Sequence, residues 1–398
     1  MSTNLKNIDS EGFVEITDSQ KKEYTERIVA LLKKSVDAGT QEITIISSEP
    51  IYFKTKGILE PINELQPWDD DTFNYFLEHM AYETLKTTRR AGKNEINTRF
   101  FDKLIEENNF SKDFAVSLKG KTLRIHAVSI YNGAGVQNKY KYCFTIRVVM
   151  NDIPDYDDLH LPAMFKQATN LTSGLILISG HTGSGKTTTI ASLVKEINKN
   201  PAMRRSILTI EDPIEFVHKS SQAIILQRAL GINTSDYTEA TKDALRENVD
   251  TVIIGELREA EAMDNAIRLA EMGKLVFATV HCNSPADAVD RIVDEFSGDL
   301  QVSVRNRLAE VVVGILHQNL EVLKNKEGEE VQIPSASGFL IEKANQKSVL
   351  RSSFTRKGIA ECIAKESWTV PYSKAYEELV KNGVIEDTQQ NRKILVPN

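Results

Sequence analysis

The order of apolar and polar residues divides the chain into two textures. From Lys21 to Val36 apolar residues recur at Tyr24, Ile28, Leu31, Leu32 and Val36, the spacing of one helical face. Two β-rich runs follow, Ile43–Ser48 and Pro50–Gly57, broken by Ser-Glu-Pro, and a helical pattern covers Asp71–Met80. Strands are predicted over Asp113–Leu118, Lys121–Tyr131 and Lys139–Val149, with the hairpin-type sequence Asn132-Gly133-Ala134-Gly135 joining the last two. Residues 1–150 therefore read as an α+β domain.

Asn151–Pro162 carries acidic residues and two prolines without periodicity, so 151–162 reads as an exposed linker. Beyond it, short unbroken apolar runs alternate with helical segments: Leu175–Ser179, Ser206–Ile210, Thr251–Gly255 and Leu275–Val280. Such runs suit strands buried on both faces of a mainly parallel sheet. Ile190, Leu193, Val194 and Ile197 share one helical face, as do Met263, Ala266, Ile267 and Ala270. The expected architecture is α/β, a mainly parallel sheet over 163–320. The charged loop Lys-Asn-Lys-Glu-Gly-Glu-Glu then opens a small, mainly helical C-terminal region over 321–398.

Composition narrows the picture. With 41% hydrophobic and 26% charged residues over 398 positions, the chain has material for two or three packed domains, and disorder as the dominant state is excluded. Lys and Arg total 49 against 56 Asp and Glu, a net charge of −7, so no global attraction to nucleic acid or anionic lipid is expected. The three cysteines, Cys143, Cys282 and Cys362, are far apart, which excludes a disulfide framework and a cysteine zinc site and fits a reducing, cytoplasmic setting. Neither a signal peptide nor an apolar run of about 20 residues is present, so any membrane association is expected through a partner or a surface.

Directly after the Leu175–Ser179 strand stands Gly-His-Thr-Gly-Ser-Gly-Lys-Thr-Thr-Thr, which satisfies G-x-x-x-x-G-K-[ST] through Gly180, Gly185, Lys186 and Thr187. Glycines let backbone N–H groups curl around a polyphosphate, and the following helix N-terminus adds partial positive charge. The expected nucleotide-binding residues are Gly180, Thr182, Gly183, Ser184, Gly185, Lys186, Thr187 and Thr188. Lys186 would reach the β and γ phosphates, and the Thr187 hydroxyl would ligate Mg²⁺.

Hydrolysis also needs acids. Glu211 directly follows one buried strand and Glu256 another, the latter about 70 residues after Lys186. Ligands of open α/β sheets bind beyond the carboxyl ends of the strands, so both acids are aimed at the phosphate loop. We assign Glu211 to the attacking water and Glu256, with Thr187, to the metal; the exchanged assignment fits the spacing equally. His281 ends a further strand, where it serves either as a γ-phosphate contact or as a structural histidine.

Taken in order, Gly180–Thr189, Ile-Leu-Thr-Ile-Glu-Asp-Pro-Ile-Glu, Val-Asp-Thr-Val-Ile-Ile-Gly-Glu-Leu-Arg-Glu and Leu-Val-Phe-Ala-Thr-Val-His-Cys resemble the Walker A, Asp box, Walker B and His box of the PilT-type secretion ATPases. The resemblance extends through the sequences around Arg124 and Arg147 and through Leu308–Leu320. It implies a RecA-like P-loop core after a PAS-like N-terminal domain, and a homohexameric ring binding ATP and Mg²⁺. Glu211, Glu256 and His281 would be catalytic, with Arg124 and Arg147 approaching the phosphates. The short N-terminal domain and the Gly-Glu-Leu-Arg-Glu form are most similar to the DotB and TraJ branch of type IVB secretion and IncI-type conjugation systems. The chain departs from the family's common pattern at Asn248-Val249-Asp250 and at Cys282, and lacks the four-cysteine zinc element of the pilus-assembly and type II branches.

The implied function is a cytoplasmic ATP-hydrolysing motor, peripheral to the inner membrane through secretion-machine components. Two alternatives share Lys186 and Glu256: a nucleic-acid motor of the RecA or helicase class, and a nucleotide-gated scaffold with little turnover. The first would need basic and aromatic tracts, of which Lys21–Lys34 and Arg204-Arg205 are thin examples, so no nucleic-acid partner is expected.

Overall fold

A computed structural model describes residues 13–38, 40, 42–55, 58–81, 95–97, 100–107, 111–118, 121–131, 140–149, 153–212, 214–231, 233–324, 330–352 and 354–397. The expected hairpin sequence Asn132–Gly135, the first 12 residues and the middle of the charged loop after Lys324 lie outside them. Contacts divide the chain into two compact units, Met1–Asn151 and Asp152–Asn398.

The first unit runs β1 (Phe13–Glu15), α1 (Asp18–Asp37), β2 (Glu42–Ile46), β3 (Tyr52–Thr55), β4 (Ile58–Pro61), α2 (Asp70–Phe76), β5 (Glu95–Asn97), α3 (Phe100–Glu107), β6 (Ser111–Leu118), β7 (Lys121–Tyr131) and β8 (Tyr140–Val149). Six strands form an antiparallel sheet in the order β4-β3-β2-β8-β7-β6, and β1 pairs with β5. In β2 only Ile43 and Ile45 are buried, the alternation of a sheet with one covered face. They join an aromatic core in which Trp68, Phe73, Phe76, Phe101 and Phe144 are fully buried. Asp69 caps α2 by accepting from the Thr72 amide at 2.8 Å. The helical pattern through Met80 resolves into α2 and a wider π-helical turn, Leu77–Ala81.

The second unit is doubly wound. Its order is β9 (Gly174–Ser179), α4 (Lys186–Lys199), β10 (Ser206–Glu211), β11 (Ile224–Ala229), α5 (Tyr237–Arg246), β12 (Thr251–Ile254), α6 (Ala260–Glu271), β13 (Leu275–Val280), α7 (Asp287–Val293), α8 (Gly298–Val311), β14 (Val312–Lys324), β15 (Glu330–Leu340), α9 (Ala344–Arg351), α10 (Arg356–Lys365), β16 (Thr369–Val370), α11 (Tyr372–Lys381) and α12 (Gln389–Leu395). The eight strands lie in the order β11-β10-β12-β13-β9-β14-β15-β16, parallel from β11 to β14 and antiparallel from β14 to β16.

Successive residues of the central strands enter two different cores, which is why these runs are apolar throughout. Leu175 and Leu177 pack with α5, α6, α7 and α8, whereas Ile176 and Ile178 pack with α4 and the turns before β9; Leu208 and Ile207, and Val252 and Ile253, divide likewise. The stretch expected as an exposed linker contributes to this second core. Tyr156 and Leu161 are buried, and the Tyr156 hydroxyl donates to the Pro162 carbonyl at 3.0 Å. Likewise β14 runs through residue 320, where the sheet domain was expected to end. The hairpin β14–β15 with α11 and α12 encloses a small separate core around Leu323, Ile333, Tyr376 and Leu379.

Candidate active site

The parallel order brings the ends of β9, β10, β12 and β13 to one edge of the sheet, and the chemistry-bearing side chains collect there. After Ser179 the chain turns through Gly180, Gly183 and Gly185, at φ +146°, +81° and +86°, and Lys186 opens α4. At Gly180 a side chain has no room, because a Cβ would stand 2.0 Å from the Gln318 carbonyl oxygen. Thr182 and Gly183 are exposed at the tip, Thr187 and Thr188 half-buried, and Ser184 buried with its hydroxyl unpartnered. Lys186 is 8% exposed, and its ammonium donates to the Gly180 and His181 carbonyls at 2.8 Å each. Burial lowers its pKa, opposed by the charge of Glu256.

Gln318 of β14 holds this loop from beneath. Its amide donates to the Ser184 carbonyl at 2.7 Å and accepts from the Thr189 hydroxyl at 2.9 Å. Next to it His317 is fully buried, 3.1 Å from the Ser179 hydroxyl, and burial pushes its imidazole down to about 4. Neither residue was singled out from the sequence; the one available signal was a polar pair, His317-Gln318, inside an apolar strand.

Glu256 stands just past β12. One oxygen accepts from Arg258 at 2.5 Å and the other lies 3.2 Å from His281 Nε2. Burial opposes ionisation of this carboxyl, but the hydrogen bond and charge of Arg258, with His281 and Lys186, outweigh it and hold the pKa below the usual carboxylate range. His281 stands just past β13; burial and the Lys186 and Arg258 charges push its pKa down despite Glu256. His281 thus pairs with the acid after β12.

Glu211, the last residue of β10, has the opposite character. Its Oε1 accepts from the Thr209 hydroxyl at 2.6 Å and from the Gln227 amide at 3.3 Å, yet burial outweighs these donors and raises its pKa. Glu211 lines a pocket with Thr187, Gly255 and Thr279, whose inner wall is Ile190, Val194 and Ile253. One carboxylate held ionised near a buried lysine at a glycine turn, and another biased toward its acid form at the same sheet edge, make an arrangement able to bind phosphate and divide metal-holding and proton-accepting work.

Arg124 and Arg147 lie in the first unit, directly opposite one another across β7 and β8 and therefore on one face of that sheet. The structure brings Lys186, Thr187, Glu211, Glu256 and His281 to one edge of the second unit. Cys282, beside His281, donates to the Ser284 carbonyl at 3.1 Å, and burial raises its pKa. Among the described residues no cluster of three or more His, Cys, Asp or Glu side chains is arranged to hold a metal by itself. Thr187, half-buried in the pocket wall, and Glu256, kept anionic, suit an ion that also takes ligands from a bound nucleotide.

The sequence matches the type II/IV secretion system protein family over residues 143–391. It is 32% identical over 302 residues to the uncharacterized protein YggR of Escherichia coli K12, covering 76% of this chain and 82% of that protein. To the type IV pilus retraction ATPase PilT of Pseudomonas aeruginosa it is 31% identical over 299 residues, covering 74% and 77%. Among solved structures, the pilus retraction motor PilT with bound ADP superposes with a TM-score of 0.72 at 27% identity, over 93% of this chain and 97% of that one. The Yersinia pseudotuberculosis ATPase DotB gives 0.71 at 22% identity, over 92% of each, a likeness of fold. With the phosphate loop and its acids placed as above, the chain belongs to the type II/IV secretion system protein family and is a PilT-type secretion ATPase.

Proposed function

We propose that the chain is a Mg²⁺-dependent ATPase that works as a homohexameric ring and powers a type IVB or conjugative secretion machine, docked on inner-membrane components from the cytoplasm. The observation that carries the hydrolytic part is the convergence of Lys186, Glu256 and His281, with Glu211 at the same sheet edge. In this reading Gly180, Thr182, Gly183, Ser184, Gly185 and Thr188 surround the phosphates with backbone and hydroxyl donors. Lys186 leaves its two loop carbonyls for the β and γ phosphates. Thr187 and Glu256 hold Mg²⁺, which when bound neutralises phosphate charge. Glu211 takes the proton of the attacking water, a role suited to a carboxyl whose pKa is raised toward the working pH. His281, paired with Glu256, contacts the γ-phosphate, and Arg124 and Arg147 add positive charge.

The branch assignment rests on the short N-terminal domain and on the Gly-Glu-Leu-Arg-Glu form of residues 255–259. Pilus retraction is the second reading, favoured by the similarity to PilT. Lys186→Ala should abolish nucleotide binding, and Glu256→Gln should keep binding while stopping turnover. A Glu256→Gln protein hydrolysing at the wild-type rate would refute the metal assignment. A sixfold particle mass with ATP tests the ring, and DNA or protein transfer against twitching in a Lys186→Ala strain separates the two machines.

A further inference from the structure

Gln227 lies on β11, the outermost strand of the second sheet, and β11 runs parallel to β10 with Gln227 opposite Thr209. Its primary amide is used on every side. Nε2 donates to Glu211 Oε1 at 3.3 Å and to the Phe216 carbonyl at 2.9 Å, while Oε1 accepts from the His218 amide at 2.8 Å. A glutamine amide carries two N–H donors and one carbonyl, so all three groups are committed, and two of the three bonds hold the segment that follows Glu211. Thr209, the residue opposite Gln227, donates to the same carboxylate oxygen at 2.6 Å. A carboxylate with two donors on one oxygen is fixed in rotation about its terminal C–C bond, which decides where the second oxygen points.

We infer that Gln227 is a positioning residue for hydrolysis: it fixes the plane of the Glu211 carboxylate and ties Phe216 and His218 beside it, so that the second carboxylate oxygen is presented to the attacking water. Gln227 acts through Glu211, and the inference rests on the reading of Glu211 as the proton-accepting group. A residue holding only the sheet edge would affect nucleotide binding and stability together with turnover. A residue that aims the carboxylate affects turnover far more than binding, because none of the Gln227 hydrogen bonds reaches the Gly180–Lys186 loop.

The test compares the full-length wild type with Gln227→Ala, Gln227→Met and Glu211→Gln, measuring steady-state ATP turnover, the dissociation constant of a fluorescent ATP analogue and the melting temperature. Met keeps the length and volume of the side chain without its donors, so it is read if the alanine variant fails to fold. The expected result is a kcat lower by about 10- to 100-fold in either variant, the scale of a misaimed catalytic group, with the dissociation constant within about threefold of wild type. Unchanged kcat, or a dissociation constant weakened in proportion to the loss of kcat, overturns the inference. If Glu211→Gln turns over at the wild-type rate, the role of Glu211 falls and the inference with it. If Glu211→Gln is slow and the Gln227 variants are not, the inference alone falls.

Discussion

Replacing Gly180 by alanine should damage the second unit far more than the same change at Gly183, three residues along the same turn. Both glycines have positive φ, so alanine at either costs about 1–2 kcal/mol of backbone strain. Around Gly183 nothing lies within 4 Å of an added Cβ. At Gly180 the added carbon meets the Gln318 carbonyl oxygen at 2.0 Å and the Ser184 hydroxyl at 2.6 Å. Gln318 cannot retreat, since β14 is held by β9 up to His317 and by β15 beyond it. The loop must move instead, adding about 1–3 kcal/mol of overpacking and loosening two buried hydrogen bonds of about 1 kcal/mol each. Gly180→Ala is thus expected to lose about 4–7 kcal/mol and Gly183→Ala about 1–2 kcal/mol. Urea unfolding measures both, read on the transition that ATP shifts, since only the unit that binds nucleotide is stabilised by it. Losses equal within about 1 kcal/mol would refute the claim that the turn is built against Gln318.

Glu211→Gln should raise the melting temperature at pH 8 and leave it little changed at pH 4. A carboxyl whose folded pKa is raised withdraws stability as pH climbs past its unfolded value, and an amide has no charge to bury. Arg258→Ala should move the acid limb of the activity profile to higher pH. Arg258 lowers the Glu256 pKa, so the Glu256 anion survives to lower pH only while that partner is present; an unmoved limb counts against the pairing. Arg124→Ala or Arg147→Ala should reduce kcat by at least about tenfold with little change in nucleotide affinity, and loss of affinity instead would assign them to binding. Rescue of an Arg124→Ala protein by mixing with Lys186→Ala subunits would place the arginine in a neighbour's site.

The second unit was legible where burial is two-sided. In β9, β10, β12 and β13 nearly every position is apolar, and the glycines, Lys186, Glu211, Glu256 and His281 follow at the strand ends. Local pattern is enough there, because each residue's chemistry is decided by its own strand. β11 escaped because it is an edge: its apolar run is short, Ile224 and Leu226 stay 64% and 48% exposed, and polar Gln227 and Arg228 follow, so no buried stripe marks it. The partners that complete the site escaped for a different reason. Gln318 meets Ser184 across 134 positions and Gln227 meets Glu211 across 16, pairings created by strand order, which no local periodicity encodes. The connector around Tyr156 and Leu161 reads as exposed because its four apolar side chains, Ile153, Tyr156, Leu159 and Leu161, are scattered among acids and prolines.

The place of Gln318 along β14 has a mechanical consequence. Pairing with β9 ends at His317, so Gln318 is the first residue where the strand leaves the sheet and continues as a two-stranded ribbon with β15. From there to Lys324 is about 20 Å of extended chain, ending beside the miniature core of Tyr376 and Leu379. Such a ribbon is a cantilever whose fixed end is clamped to the Gly180–Lys186 turn. A tilt of about 0.1 radian at the clamp sweeps its tip through about 2 Å. A small tilt at the turn thus becomes a larger displacement at the far end of the ribbon.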